Sequence, residues 1–161
     1  MTARTLRNLA MALAAVAILL QAPLLAHHSF AMYDQNKTVT VTGVVKQYVP
    51  QANHAEFHLY LIAADRKGLE KGKDGKPVEF MVEMAGTAQL ERQGVTGQTF
   101  PVGTVISVKV NPLRDGGPVG ARVSALARCP VDPATNKPKL PEAGKHCDSV
   151  AGRTLNGGDT F

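Results

Sequence analysis

The chain has no tryptophan, and aromatic residues make up only 5% of its 161 positions. Proteins that track single-stranded nucleic acid combine stacking aromatics with clustered Lys and Arg. Here the aromatics are scarce and the basic residues are not clustered. Arg66, Lys67, Lys71, Lys73 and Lys76 alternate with Asp65, Glu70, Asp74 and glycines. That is the composition of a solvated loop, and no nucleic-acid partner is expected. There are two cysteines and no Cys-x-x-Cys pair, which removes the common zinc-ribbon and redox motifs. Gly-x-Ser-x-Gly, His-Glu-x-x-His and a Cys–His nucleophile spacing are also missing, so no enzyme is expected. No apolar run reaches the roughly 20 residues of a membrane helix. What remains is 44% hydrophobic and 19% charged, too apolar for a disordered chain.

The first 26 residues read as an address. Arg4 and Arg7 precede the uncharged run Leu9 to Leu20, then Pro23, and the segment ends on Ala26. This is the layout of a secretory signal peptide. Export to the periplasm or beyond, with cleavage near Ala26, is expected. Cleavage there removes two arginines, leaving sixteen basic against thirteen acidic residues and a formal charge of +3. No transmembrane span is expected in the mature chain.

Beyond a tail over 27–36, period-2 alternation marks strands. Val39 and Val41 alternate with threonines, and Gly43 interrupts the run before VVKQYV, which suggests a bulge or bend. Residues 55–63 set Ala55, Phe57, Leu59 and Leu61 against His54, Glu56, His58 and Tyr60. Residues 78–84 set Val78, Phe80, Val82 and Met84 against Glu79, Met81 and Glu83. Residues 104–110 and 119–127 repeat the pattern, with Ser107 and Lys109 on a polar face. Between the third and fourth strands, Thr87 to Arg92 carries helix formers, with Thr87 as the expected N-cap, Leu90 as the core contact and Gly94 as the C-terminal stop. Five strands with one such helix predict an all-β, OB-like barrel over 37–127. A five-stranded open sandwich is the alternative.

Residues 128–161 follow as an extension. Cys129 and Cys147 flank a proline-rich segment without periodicity, and a disulfide between them is expected in an exported chain. A Cys/His site using His146 is the weaker alternative. A short last strand is expected over 153–156.

Cleavage after Ala26 would make His27 the N-terminus, followed by His28. An N-terminal histidine offers its amine and its ring nitrogen to one ion, and imidazole suits Cu and Zn. A further ligand is expected from the barrel, where His54 and Glu56 stand on one strand face. Neighbours on such a face are about 6.6–6.8 Å apart, whereas His54 and His58 are about 13 Å apart. So His54 with Glu56, or Glu56 with His58, could share an ion, but all three would not. Met32 is a possible soft ligand or a packing residue. A Cu or Zn site on His27, His28, His54 and Glu56 is one expectation. The other is a scaffold domain for an exported protein or an envelope glycan. Its candidate contacts are the strand face with His58 and Tyr60 and the turn at Arg114 and Asp115.

The segments HHSFAMYD, TVTVTGVVKQYV, NHAEFHL, VEFMVEM, LERQGVT and VNPLRDGGPVG resemble, in order and spacing, a domain-of-unknown-function family of small exported bacterial proteins whose mature chain starts His-His-Ser-Phe. The resemblance covers residues 26–127 and implies export and a small β-barrel, with no activity attached. Two positions depart from it. Ala52-Asn53 stands where the family has Asn-Pro, and Val95 stands where it has Trp, which implies an altered surface near the helix. His58 is outside the family pattern.

Overall fold

The computed structural model describes Arg4, residues 28–151 and residues 155–156. The expected signal segment, apart from Arg4, and His27 lie outside the described residues. The chain divides into two compact units, Met1–Met32 and Tyr33–Phe161. In the first, α1 is a single turn, His28–Ala31. The second holds strands β1 Val39–Val49, β2 Glu56–Leu61 and β3 Glu79–Glu83, helix α2 Thr87–Arg92, and strands β4 Val105–Pro112, β5 Val119–Arg128 and β6 Leu155–Asn156. Among the described residues, no helix is long and apolar enough to cross a membrane.

Strand β1 lies antiparallel between β2 and β4. Strand β2 pairs with β3, and β4 with β5, again antiparallel. A parallel step closes the ring, Met81 to Glu83 of β3 against Val119 to Ala121 of β5. The protein is thus a closed five-stranded barrel of OB-like topology with one short helix between β3 and β4. Closure leaves no side of the sheet open, which answers the need of five one-faced strands to cover their apolar faces. Phe57, Leu59, Val82, Ile106, Val108 and Val110 fill the interior and are fully buried.

Two local expectations are corrected. Gly43 sits in regular register opposite Leu61 and Ile106. Its role is close approach: a Cβ there would stand 2.8 Å from the Tyr60 carbonyl oxygen. The irregularity comes later, where Lys46 is the extra residue between the pairs Val45–Leu59 and Gln47–His58. This bulge shifts the alternation, so Val45 and Tyr48, three apart, both pack on the core. The helix start also differs. Gly86 occupies the N-cap without a side-chain cap, and the Thr87 hydroxyl donates instead to the Gln51 carbonyl, 2.8 Å away. Gly86 is required because a Cβ would strike the Ala52 carbonyl oxygen. The helix ends before Gly94, and Leu90 enters the core as expected.

Two burial expectations are corrected as well. Val95 is buried in the core beside α2, so the change from Trp bears on packing rather than on the surface. Ser107, expected on a polar face, is 0% exposed. The extension explains it. Cys129 and Cys147 are joined as a disulfide, and with Val105, Ala127 and Leu140 they form a second small core on the outside of β4 and β5. The Cys147 amide donates to the Ser107 hydroxyl at 2.7 Å. His146 is buried, with Nε2 3.1 Å from the Ser107 carbonyl oxygen. With both sulfurs bonded to each other, no thiolate remains for a Cys/His metal site. Residues Leu155–Asn156 pair with β5 as the expected last strand, while 153–154 lie outside the described residues.

Candidate functional site

The outer face of β2 and β3 gathers the polar side chains that the alternation turned away from the core. The register sets Glu56 of β2 directly opposite Glu83 of β3. Like charges in such a pair destabilise a ladder unless cations or donors surround them. Here all four carboxylate oxygens have partners. Gln51 Nε2 donates to Glu56 Oε1 at 3.1 Å, and His58 Nε2 stands 2.9 Å from Glu56 Oε2. His54 Nδ1 stands 3.0 Å from Glu83 Oε1, and the Tyr33 hydroxyl donates to Glu83 Oε2 at 2.6 Å. Glu83 is the more enclosed of the two facing carboxylates, its side chain 16% exposed against 25% for Glu56.

Tyr33 belongs to the same cluster from another direction. It bridges to Leu113 at the end of β4 and is buried. Burial, the hydrogen bond to Glu83 and the charges of Glu83 and Glu56 push its phenol well above the ordinary tyrosine value.

Farther along the same strands, Tyr60 faces Glu79 across β2 and β3. Lys46, at the bulge, donates to Glu79 Oε1 at 2.6 Å and lies 5.4 Å from the Tyr60 ring centre. The bond to Glu79 holds its ammonium above the usual lysine value against some desolvation.

The other sequence candidates fall as follows. Arg114 and Asp115 sit in the turn joining β4 and β5, next to Leu113. Asp115 Oδ1 accepts the Gly117 amide at 2.8 Å and so shapes the turn. Met32 is half exposed. His28 lies in α1, and its side chain is outside what is described. His54 contacts Glu83, and Glu56 is engaged by Gln51 and His58. Among the described residues, no three His, Cys, Asp or Glu side chains stand as a ready metal-holding group.

Tyr33, Gln51 and Glu83 are members of the cluster that sequence reasoning did not single out as site residues. Tyr33 and Glu83 stand in segments that carry the family resemblance, which was the available signal. Their meeting depends on the β2–β3 register and on the Tyr33–Leu113 bridge.

The chain matches the family of unknown function DUF6152 over residues 14–122 and belongs to that family. The match ends before the disulfide extension. No curated protein matches the chain. Among solved structures, it is similar to a mitochondrial single-stranded DNA binding protein, Rim1 from S. cerevisiae, at 8% identity and a TM-score of 0.35, over 55% of this chain and 88% of that one.

Proposed function

We propose that the protein is an exported, non-catalytic binding module that takes a divalent transition metal ion, Cu(II) or Zn(II), on the outer face of β2 and β3. The observation that carries this is the Glu56–Glu83 pair with an imidazole against each carboxylate. The two carboxylates with one of the two imidazoles, turned toward a single ion, would be a donor set that both metals accept, since His54 and His58 stand too far apart along the strand to share one. The ion would neutralise two facing negative charges. The location agrees with the fold, because OB barrels bind ligands on the strand 2–3 face and on the loops between strands 1 and 2 and strands 4 and 5. His54 lies in the first of those loops and Arg114 and Asp115 in the second. His27 and His28 are added as donors from the sequence alone.

Calorimetric titration of the form beginning at His27 tests this. Stoichiometric uptake of Cu(II) or Zn(II) is expected, weakened by His54→Ala and by Glu83→Gln. One extra residue before His27 separates the contribution of the N-terminus. No binding tighter than micromolar by either metal overturns the proposal.

A second reading gives the same face an envelope protein or glycan as its partner. It rests on Tyr60, whose ring is flanked by Lys46 and Glu79 as an aromatic with a charged border. Capture of one defined periplasmic protein or glycan, abolished by Tyr60→Ala and unaffected by chelator, would favour it over the metal.

A further inference from the structure

The turn that leads into β1 carries a second site. It reads Asp34-Gln35-Asn36-Lys37-Thr38. Asn-x-Ser/Thr with a non-proline middle residue is the acceptor pattern for N-linked glycosylation of exported chains. Of the six asparagines in the sequence, only Asn36 meets it. The turn shares no residue with the Glu56–Glu83 cluster.

The structure presents this one asparagine outward. Asn36, Lys37 and Thr38 are all exposed. The Asn36 amide donates to Asp34 Oδ1 at 3.2 Å, and the Lys37 amide donates to the Asp34 carbonyl at 3.0 Å. These bonds set Asn36 in the middle of a tight turn. Its side-chain carboxamide makes no hydrogen bond with any described residue. The turn is anchored from behind. The Asp34 amide donates to the Pro112 carbonyl at 2.8 Å, and Asn111 Nδ2 donates to the Lys37 carbonyl at 2.7 Å. Asn111 is 9% exposed and its carboxamide is engaged by the fold, whereas that of Asn36 is left free. Thr38 Oγ1 lies 3.5 Å from Asn111 Nδ2, at the limit for a hydrogen bond, so its hydroxyl is open to an outside partner. The acceptor therefore stands on the folded barrel, and nothing in the core has to open to expose it.

We propose that Asn36 is an N-glycosylation site, modified by a transferase that uses an oligosaccharide carried on a polyprenyl pyrophosphate. Asn36 Nδ2 bonds to the anomeric carbon of the first sugar. The bond from that carbon to the pyrophosphate oxygen breaks, and the pyrophosphate leaves with the electron pair. One Nδ2 proton is released. Both reacting groups keep their oxidation state. The Thr38 hydroxyl is the second contact that the transferase must reach, which the acceptor pattern requires two residues after the asparagine. The site rests on the export reading and is independent of any metal.

The test is the intact mass and peptide map of the full chain isolated from the cells that make it. A mass above that of the leader-cleaved chain by a whole set of sugar residues, confined to the peptide that holds Asn36, is expected. Asn36→Gln and Thr38→Val should lose the increment completely. Thr38→Ser keeps the hydroxyl and should retain it. Circular dichroism checks that each variant is folded. A leader-cleaved chain at its bare mass overturns the site and leaves the export reading standing. A chain that still carries residues 1–26 at its bare mass overturns both. An increment that persists in Asn36→Gln overturns the assignment to this residue.

Discussion

Tyr33 donates its hydroxyl proton to Glu83, fifty residues on in the chain, at 2.6 Å. That bond ties the segment leading into the barrel to its third strand, and it has a consequence for pH. The folded phenol titrates above its ordinary value, for burial first and then for the neighbouring carboxylates. The proton is kept by the folded state and shed by the unfolded chain near pH 10, about the usual tyrosine value. Stability from this source is complete below that pH and declines as pH rises above it. Tyr33→Phe should flatten the alkaline limb of a stability–pH profile measured by urea unfolding. Identical alkaline slopes in the two proteins would show that Tyr33 does not carry the effect.

Replacing both Cys129 and Cys147 by alanine should lower stability by about 3 kcal/mol, the loop-closure contribution for a segment of this size. Denaturant midpoints give the value. The far-ultraviolet spectrum of the barrel should persist, because the Phe57–Ile106 interior does not include the cysteines.

Gly43→Ala should destabilise by about 1–3 kcal/mol, the usual cost of forcing atoms into a filled site. The new methyl meets the Tyr60 carbonyl oxygen and the Leu59 Cβ. The stiffening of the unfolded chain returns less than about 1 kcal/mol. Thermal unfolding measures the net, and a variant more stable than the parent would contradict the close approach.

Val95→Trp, which introduces the residue that the family resemblance implies here, should also destabilise, by about 1–3 kcal/mol. Val95 is wholly enclosed, in the same core as Leu90 and Phe100. If the melting temperature rises instead, the core has room that the packing does not suggest.

The barrel was legible because each strand shows period-2 alternation, and Leu90 stood alone as an apolar residue in a short helical stretch. The cluster was only half legible. Alternation placed His54, Glu56 and His58 on the outer face, but partners across strands follow from register. Residues 62–78 intervene between β2 and β3, and nothing local in them reveals that Glu56 meets Glu83. Ser107 was misplaced for a related reason. A serine between valines reads as solvent-facing, and its burial comes from an extension with no periodicity to announce that it packs. Gly86 shows the same limit, since its need arises from Ala52, far away in sequence.

The parallel β3–β5 pairing that closes the ring also orders events in time. During synthesis, β1, β2 and β3 can pair as successive hairpins soon after they appear. The far edge of β1 must wait for β4, and the free edge of β3 must wait for Val119 to Ala121. Until then both edges present unpaired backbone groups, the feature through which chains adhere to one another. Non-local pairing of this kind slows folding. The nascent chain is thus exposed to self-association until its fifth strand arrives.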